Sequence, residues 1–302
     1  MTLVIDELER LTQLAIEAAK AAGAIINDNR HRSFNIEHKA CGDSLASQVV
    51  TEVDRMAQAA ILEILGPSLS QYGIALLAEE TADNGQRHVK EAFWCIDPMD
   101  GTLAFINDLP GFSVSIALVA KNGTPLLGVV YDPIEHVLMH AIHNRGTFIN
   151  GSPIQIPDLD LQQPLILQTD ASFQSHPWFE PTYLRLNNAA EQLGLNGAEI
   201  HYKTGAVMNA CSILQQPNRC YFKYPRSGNS GGSLWDYAAT AALYHECGAI
   251  ASDIDGNSMD LNRYGSTFMN HRGLLYAPSQ SIADQIYALY REIYSTHETY
   301  PQ

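Results

Sequence analysis

Two aspartates at the end of an apolar run are the residues in this sequence best suited to chemistry. The segment Phe93-Trp94-Cys95-Ile96-Asp97-Pro98-Met99-Asp100-Gly101-Thr102 predicts a strand that carries Asp97 at its end and a turn that brings Asp100 beside it. Gly101 allows the backbone to approach a ligand, and Thr102 can begin a helix whose free N–H groups suit a phosphate. The segment therefore predicts a corner shared by metal ions and phosphate, with a solvated Asp-Pro turn and a helix cap as the alternative.

Two other acidic segments extend this pattern. Glu79 and Glu80 directly follow the apolar run 75–78, which on its own is typical of a charged strand end. Asp236 lies in Trp235-Asp236-Tyr237-Ala238-Ala239, at the head of an alanine-rich helix, where a first-turn or N-cap aspartate is common. Each segment has an ordinary interpretation when taken alone, so the functional interpretation rests on their combination.

The charge balance restricts the partners of the chain. Its 302 residues include 33 acidic and 18 basic ones, a formal net charge of −15, which argues against broad contact with nucleic acid or anionic lipid. A phosphate ligand therefore needs local cations, and divalent metal ions held by carboxylates are the obvious source.

Cysteine usage and the N-terminal residues indicate the compartment. The N-terminal residues lack a basic start followed by an apolar block, and no later apolar run is long enough to span a bilayer. The five cysteines are odd in number and scattered, which indicates reduced thiols rather than a disulfide framework or a zinc ribbon: Cys41, Cys95, Cys211, Cys220 and Cys247. We therefore expect a cytoplasmic protein without a membrane partner.

Hydrophobic periodicity predicts helices and then a sheet in the first half of the chain. A long amphipathic helix is predicted over 3–29, with Gly23 as its weak point, and a second helix over 51–65, ended by Gly66-Pro67. Short β-rich runs follow and are typical of an antiparallel sheet packed on the two helices: 74–77, 93–96, 114–119, 126–131 and 137–142.

The second half predicts alternating strands and helices. The strands are expected near 165–169, 199–202 and 220–224, and the helices near 181–194, 205–215, 234–247 and 280–295. The proline-bearing stretch 151–164 is the best candidate boundary. We therefore expect an N-terminal α+β half over 1–152 with most metal ligands, and a C-terminal α/β half over 153–302 with Asp236 and the substrate-specificity elements.

Together the acidic segments resemble the inositol monophosphatase superfamily, whose signature is a Glu-Glu pair, an Asp-Pro-x-Asp-Gly-Thr block and a later Trp-Asp-x-Ala-Ala block, in that order. The resemblance also covers Thr51-Glu52-Val53-Asp54, Phe112-Ser113-Val114-Ser115-Ile116-Ala117 and Gly205-Ala206-Val207. It implies a layered αβαβα sandwich of the sugar-phosphatase type. It also implies a magnesium-dependent, lithium-sensitive phosphatase, in a superfamily that includes the phosphoadenosine phosphatase branch.

The resemblance implies roles for individual residues. Glu79, Asp97 and the Met99 carbonyl would hold one Mg²⁺, and Asp97, Asp100 and Asp236 a second, with a weaker third ion near Glu79 and Mn²⁺ as a substitute. Asp54 and Thr102 would orient the attacking water and accept its proton, so that catalysis falls to Asp54, Glu79 and Thr102. The expected substrate contacts are Asp100, Gly101, Thr102, Gly205, Ala206, Asp236, Lys39 and Arg226.

The substrate stays open between two phosphate esters. Gly205-Ala206-Val207-Met208-Asn209 is similar to inositol monophosphatases and favours an inositol or sugar monophosphate, whereas Tyr224-Pro225-Arg226 is similar to phosphoadenosine phosphatases. The latter would need an aromatic or arginine platform for adenine near 221–233. Lys203, Lys223 and Arg226 are either contacts for a second phosphate or surface charges. A catalytically silent phosphate-binding protein is the third hypothesis, and a homodimer stays open as the assembly.

Three other signals are set aside. The Ser/Gly-rich stretch 226–233 lacks the Gly-Lys-Ser/Thr of a nucleotide P-loop, so a substrate-side loop is expected. The segment from Asp253 to Asn257 resembles the start of an EF-hand loop, but Ser258 stands in place of its glycine and Tyr264 in place of its closing glutamate, so a turn is predicted. His136, His140 and His143 belong to one strand region that would separate them, which does not favour a zinc site.

Overall fold

The computed structural model describes residues 3–31, 36–38, 49–203, 205–229 and 231–296. Within these residues the chain forms two sheets, a short two-stranded pairing and seven helices. The short pairing joins β1 (Ile36–His38) and β2 (Val49–Thr51) in antiparallel fashion.

The first sheet has seven strands in the order β3-β4-β5-β6-β7-β8-β9. Only its β3–β4 pair is parallel, and the other pairs are antiparallel. The strands are β3 (Ala75–Ala78), β4 (Ala92–Asp100), β5 (Ser113–Ala120), β6 (Pro125–Asp132), β7 (Val137–Ile142), β8 (Gly146–Ile149) and β9 (Ser152–Pro153). The sheet is thus mixed where the sequence predicted an antiparallel one, because the chain crosses over between β3 and β4 through residues 79–91 instead of turning in a hairpin.

Two long helices cover one face of this sheet. They are α1 (Ile5–Asn29) and α2 (Glu52–Gln71), and their apolar sides join a core with Trp94 and Ile96 of β4. Phe93 and Cys95 belong to a different core cluster, as the alternation of side chains along a strand requires. Both faces of β4 are therefore buried, which explains its nearly continuous apolar sequence.

The second sheet has five strands in the order β11-β10-β12-β14-β13. Strands β10 (Leu165–Thr169), β11 (Ala198–Tyr202) and β12 (Arg219–Lys223) are parallel, and β13 (Ile250–Ser252) and β14 (Leu274–Ala277) complete the sheet in antiparallel fashion. The outer face carries α4 (Phe179–Gln192) and α7 (Gln280–Thr296).

A central helix lies between the two sheets. It is α6 (Leu234–Glu246), whose buried side chains share one core with Phe93 of the first sheet and Tyr221 of the second. Two short helices follow loops: α3 (Thr102–Ile106) comes after the turn that ends β4, and α5 (Ala206–Cys211), which contacts the central helix, comes after β11. The order of layers is therefore αβαβα, which confirms the predicted fold class. No helix of the described residues has both the length and the apolar composition needed to cross a bilayer.

Several predicted element ends were wrong. Helix α2 continues through Gly66-Pro67 to Gln71, because its last turns pack on the sheet: Leu65 is buried, and the Ser68 hydroxyl accepts a 2.9 Å hydrogen bond from the Trp94 indole. Helix α5 ends at Cys211, short of the predicted residue 215, and strands β8, β13 and β14 were not predicted. Strand β9 pairs with β8 and extends the first sheet past residue 152, and the division of the chain at this residue stays a prediction.

Candidate active site

A bulge at the end of β4 sets the positions of two aspartates. Asp97 pairs with Ser115 and Asp100 with Ser113, so three steps along β4 oppose two steps along β5. Residues three apart on a regular strand would point to opposite faces, and the extra residue of the bulge removes this alternation. The Asp97 carboxylate accepts a 2.9 Å hydrogen bond from the Met99 N–H, which fixes the turn that leads to Asp100.

The side chain of Asp100, the last residue of β4, lies at the N-terminus of α5. Its two carboxylate oxygens accept hydrogen bonds from Val207 N at 2.9 Å and Ala206 N at 3.2 Å. Gly205 has a φ of +78°, and a Cβ there would lie 2.9 Å from the Asp100 carboxylate. Of the two residues predicted as substrate contacts here, Ala206 holds Asp100 through its N–H and Gly205 leaves room for the carboxylate. Direct contact of either residue with substrate stays a prediction.

Asp236 comes from the second half of the chain, in the first turn of α6. Its carboxylate accepts a 2.8 Å hydrogen bond from Ser233 N, and the Ser233 side chain completes a capping box. The Ser115 hydroxyl of β5 donates a 2.9 Å bond to the Trp235 carbonyl, which joins the start of α6 to the first sheet.

These three aspartates form one cluster. Each of Asp97, Asp100 and Asp236 offers an oxygen such that all three oxygens lie within 4.8 Å of one another. Burial, followed by the charges of Glu79, Asp236 and Asp100, raises the pKa of Asp97 well above its ordinary value. Burial and the charge of Asp236 also raise the pKa of Asp100, although the N–H groups of Val207 and Ala206 act in the opposite direction.

Glu79 lies next to this cluster. It follows β3 directly, its N–H donates to the Ile96 carbonyl at 3.1 Å, and its side chain is hydrogen-bonded to Asp97. Glu79 neighbours Asp97 but is not one of the three clustered carboxylates. The site therefore has two adjacent sets of carboxylate oxygens, one from Glu79 and Asp97 and one from Asp97, Asp100 and Asp236.

Thr102 connects the β4 turn to helix α2. Its hydroxyl lies 3.1 Å from an Asp54 carboxylate oxygen and 3.2 Å from the Met99 carbonyl. A hydroxyl has one proton, and the carboxylate is the stronger acceptor, so we place the proton toward Asp54, which is buried. The Met99 carbonyl then keeps its lone pairs for another partner.

Gly101 is required by the backbone. Its φ is +87°, and a Cβ there would lie 3.0 Å from Phe112 Cα and closer still to the Gly111 carbonyl. The same carbonyl would meet a Cβ on Gly205. The β4 turn, the loop before β5 and the start of α5 therefore approach one another too closely for a side chain at either glycine.

Two predicted substrate contacts are not placed at the cluster. Lys39 lies outside the described residues. Arg226 is exposed, its N–H donates to the Asn270 carbonyl at 2.9 Å, and its charge acts on His176, where it assists burial in lowering the pKa of that histidine. The structure thus brings together Asp97, Asp100 and Asp236, with Glu79, Met99, Thr102 and Asp54 beside them.

Sequence reasoning missed two polar residues that surround this site. Gln58 is buried on α2, one turn after Asp54; its side chain accepts from Glu80 N at 3.0 Å and donates to Thr81 Oγ1 at 2.9 Å. A glutamine four residues after Asp54 in an apolar stretch was the available signal. Asp170 directly follows the apolar strand β10, which is the same signal that singled out Glu79 and Asp97.

The signals set aside occupy other places. The Asp253 carboxylate accepts bonds from Asp255 N and Asn257 N, which gives the predicted turn. His140 stacks on Phe148, whereas His143 pairs with Glu246. Within the described residues, the three-aspartate cluster is the only group of metal-ligand side chains whose donor atoms lie this close together.

The chemistry of the donors fits a hard divalent cation. The cluster offers carboxylate oxygens, with a carbonyl oxygen nearby, and these are the ligands of Mg²⁺ in proteins. Buried carboxylates this close together repel one another when ionised, and the raised pKa values of Asp97 and Asp100 record that cost. A bound cation would remove it.

An αβαβα sandwich with an acidic cluster at the junction of its two sheets is characteristic of the sugar-phosphatase class. Comparison with known proteins gives the family: residues 7–295 match the model of the inositol monophosphatase family, and the chain belongs to it. It is 30% identical to Nus factor SuhB of Haemophilus influenzae, over 91% of this chain and 94% of that protein. It is also 29% identical to inositol monophosphatase 2 of Solanum lycopersicum, over 84% of this chain and 91% of that protein. The solved structure of inositol monophosphatase from Anabaena has the same fold, with a TM-score of 0.68 at 24% identity, over 94% of this chain and 96% of that one.

Proposed function

We propose that this chain is a magnesium-dependent phosphomonoesterase that hydrolyses a small phosphate ester, inositol monophosphate or a related sugar phosphate, with water as the nucleophile. The observation that carries the proposal is the meeting of Asp97 and Asp100 from the first half with Asp236 from the second, with their oxygens within 4.8 Å. Membership of the inositol monophosphatase family supports the same reaction class.

The metal requirement follows from the charge of the substrate. A phosphate monoester dianion repels both nucleophiles and the acidic cluster, so we infer that Glu79, Asp97, the Met99 carbonyl, Asp100 and Asp236 hold two to three Mg²⁺ ions, with Mn²⁺ as a substitute. Bound there, the ions supply charge neutralisation for the phosphoryl group and a lowered pKa for water. The N–H groups of Ala206 and Val207 hold the Asp100 carboxylate in place, and that of Ser233 holds Asp236. Fixed carboxylates of this kind support the proposed role of both residues as metal ligands.

Thr102 and Asp54 are proposed to handle the proton of the attacking water. With its own proton directed to Asp54, the Thr102 hydroxyl oxygen offers a lone pair that orients the water. Asp54 is buried behind it, where its carboxylate can accept a proton through the hydroxyl. Gly101 and the N-terminus of α3 approach the phosphoryl oxygens in this scheme.

A bisphosphate nucleotidase is the alternative substrate assignment. It was expected to need an aromatic or arginine platform for adenine near 221–233. The aromatic side chains there, Tyr221, Phe222 and Tyr224, are buried, which leaves only Arg226 exposed for this purpose among the aromatic and arginine residues described in that stretch. Burial of these rings therefore favours a polyol or sugar ester over a nucleotide.

Phosphate release tests the proposal directly. We expect Mg²⁺-dependent release from inositol 1-phosphate, fructose 1,6-bisphosphate or both, and slower release from 3′-phosphoadenosine 5′-phosphate. Asp97→Asn should abolish release without loss of fold, because it removes a ligand charge rather than core volume, whereas Asp255→Asn, a change of the same kind at an exposed acid, should not. No turnover of any ester would instead favour the catalytically silent phosphate-binding protein.

A further inference from the structure

The connection between β3 and β4, residues 79–91, begins with Glu79 and is anchored by one buried side chain. Arg87 is 2% exposed, whereas every other residue of the connection is half-buried or exposed. An apolar side chain is the usual anchor for a segment of this kind, because a buried charge is costly unless it is paired. The position of the connection therefore depends on the partners of Arg87.

The Arg87 guanidinium has one partner inside the connection and one outside it. Its Nε donates to Asp83 Oδ2 at 2.7 Å, and its NH1 donates to Asn262 Oδ1 at 2.7 Å. Burial acts to raise the pKa of Asp83, but the hydrogen bonds from Arg87 and from the Gly85 N–H hold it below its ordinary value, so this carboxylate is ionised. Asn262 lies 175 positions later in the sequence and links the connection to the second half of the chain.

The amide of Asn262 is fully engaged. While its oxygen accepts from the guanidinium, its Nδ2 donates to the Arg87 carbonyl at 3.2 Å and to the Lys121 carbonyl at 2.8 Å. A primary amide has two N–H donors, and both are used. The Lys121 N–H in turn donates to the Glu91 carbonyl at 2.8 Å. Asn262 therefore fixes the connection at Arg87 directly and at its last residue through Lys121.

The segment that carries Asn262, residues 259–270, also contacts the opposite side of the metal site. We call it the bridging segment. Its Phe268 forms a β-bridge with Ser233, whose N–H holds Asp236. Two backbone hydrogen bonds of 2.9 Å flank this bridge, from Met269 N to the Gly232 carbonyl and from Leu234 N to the Thr267 carbonyl. Three of its side chains are buried in the core between the two sheets: Met259, Leu261 and Met269.

We propose that the bridging segment positions Glu79 relative to Asp236, and that Asn262 and Arg87 are the positioning residues at its Glu79 end. The inference rests on the proposed function, because it takes Glu79 as a metal ligand. Strand β3, which leads to Glu79, is an edge strand held only by β4 within the sheet, whereas Asp236 lies on the central helix. One segment bonded to both places fixes the distance between them.

Asn262→Asp isolates this role from the pairing of Arg87. The carboxylate still accepts from the guanidinium but cannot donate to the two carbonyls, so the buried charge stays paired while the connection is released. We expect the affinity for Mn²⁺, measured by calorimetry without substrate, to fall by about tenfold, as for other indirect partners of metal ligands. An added negative charge would by itself strengthen cation binding, so a loss of affinity reports geometry.

A double-mutant cycle shows whether the effect passes through Glu79. In a Glu79→Gln background, Asn262→Asp should change the remaining Mn²⁺ affinity by less than about twofold, because the ligand that it positions is gone. Arg87→Met removes the other half of the contact without adding a charge and should have the same dependence on Glu79. Asn196→Asp, the same change at an exposed asparagine, is the matched control and should bind as the unmodified protein does.

Amide hydrogen exchange in chelator gives a second measurement that needs no metal. In Asn262→Asp the amides of residues 79–91 should exchange faster, while those of β5 keep their rates. A general loss of stability would instead accelerate exchange in β5 as well.

Three outcomes would overturn the inference: unchanged Mn²⁺ affinity in Asn262→Asp, an equal loss of affinity with and without Glu79, or faster exchange throughout β5. None of these measurements uses an ester, so absence of phosphate release would count against the proposed function alone. Absence of Mn²⁺ binding by the unmodified protein would reject the ligand set, and with it both proposals.

Discussion

At the scale of single residues, Asp236 has two roles. One is to cap α6 through Ser233 N, and the other is to contribute charge to the cluster. Asp236→Asn keeps an oxygen for the cap and removes only the charge, so the fold should persist. We expect the affinity for Mg²⁺ or Mn²⁺, measured by calorimetry without substrate, to fall by at least about 100-fold, since even indirect partners of metal ligands contribute 10- to 100-fold. Asp255→Asn should bind as the unmodified protein does, and equal affinities in both variants would contradict the ligand assignment.

The raised pKa values of Asp97 and Asp100 predict a pH-dependent response to metal. Burial and neighbouring carboxylates hold both pKa values above the ordinary 3.8, so the folded state binds these protons more tightly than the unfolded state. Their stabilising contribution is complete below about pH 3.8 and is lost as the pH rises through the folded-state pKa. A bound cation reverses this loss.

The rise in melting temperature caused by Mg²⁺ should therefore increase from pH 5 to pH 8, relative to the same protein in chelator. Metal binding should also release protons, detectable as a dependence of the calorimetric heat on the buffer. A metal-induced shift that is the same at both pH values, without proton release, would show that these aspartates are not the ligands.

The acidic residues could be found from the sequence because each stands at the end of an apolar strand or at the head of a helix. This local pattern singles out Asp97, Glu79 and Asp236, but their assignment as metal ligands also needed the combination of the three segments and its resemblance to a known family. The distances between these carboxylates could not be predicted from the sequence. They depend on the β4 bulge and on the contact of α5 with Asp100, both of which arise from pairing between residues far apart in sequence. The same limit applies to Gln58, whose partners lie 22 and 23 residues away.

At the scale of secondary-structure elements, Gln58 joins helix α2 to the turn that follows β3. It lies on the helix that carries Asp54 and holds the turn that carries Glu79, through Glu80 N and Thr81 Oγ1. Gln58→Leu removes both bonds at similar volume. We expect kcat to fall by about tenfold, with partial recovery at high Mg²⁺, while the free energy of unfolding falls by about 1–2 kcal/mol.

The recovery distinguishes positioning from general destabilisation, because a merely loosened fold would not respond to metal in this way. Gln86→Leu, at an exposed glutamine in the same connection, is the control and should retain normal turnover. An unchanged metal dependence in Gln58→Leu would contradict the positioning role.

Gly128 sets the distance between β6 and the central helix. A Cβ at this position would lie 2.9 Å from both Ala239 Cα and Ala242 Cβ of α6. Gly128→Ala should therefore lower the free energy of unfolding by about 1–3 kcal/mol, the usual cost of overpacking, in denaturant titrations. An unchanged free energy of unfolding in Gly128→Ala would show that helix and sheet are not in close contact at Gly128.

Element types were more predictable than element ends. The runs that became β7 and β10 were predicted with the observed bounds, since alternation and turn residues mark both ends. The predicted end of α2 at Gly66-Pro67 was wrong, because the tertiary packing of Leu65 and Ser68 outweighs the helical hydrogen bond that Pro67 cannot donate. The short strands β13 and β14 are only three and four residues long and are stabilised mainly by their neighbours in the sheet, so a local pattern could not define them.

The two sheets share one core at the scale of the whole molecule. Phe93 and Cys95 of the first sheet belong to the same buried cluster as Tyr221 and Tyr276 of the second. Polar contacts of α6 reinforce this layer: the Tyr244 hydroxyl donates to the Ala210 carbonyl at 2.7 Å, and Thr240 bonds the Tyr276 hydroxyl at 2.8 Å. Exposing either sheet would therefore uncover the central helix and the apolar side of the other sheet.

We accordingly expect calorimetry in chelator to show one cooperative transition, although the sequence predicts two halves. Because the acidic cluster takes Asp97 and Asp100 from one half and Asp236 from the other, metal should stabilise both halves together. At a metal concentration of about 100 times Kd, the gain is about 2.7 kcal/mol. For a chain of this size, that corresponds to a midpoint rise of roughly 5 °C, with the single transition retained. Two separate transitions, of which Mg²⁺ moves only one, would mean that the halves fold independently and that the cluster does not join them.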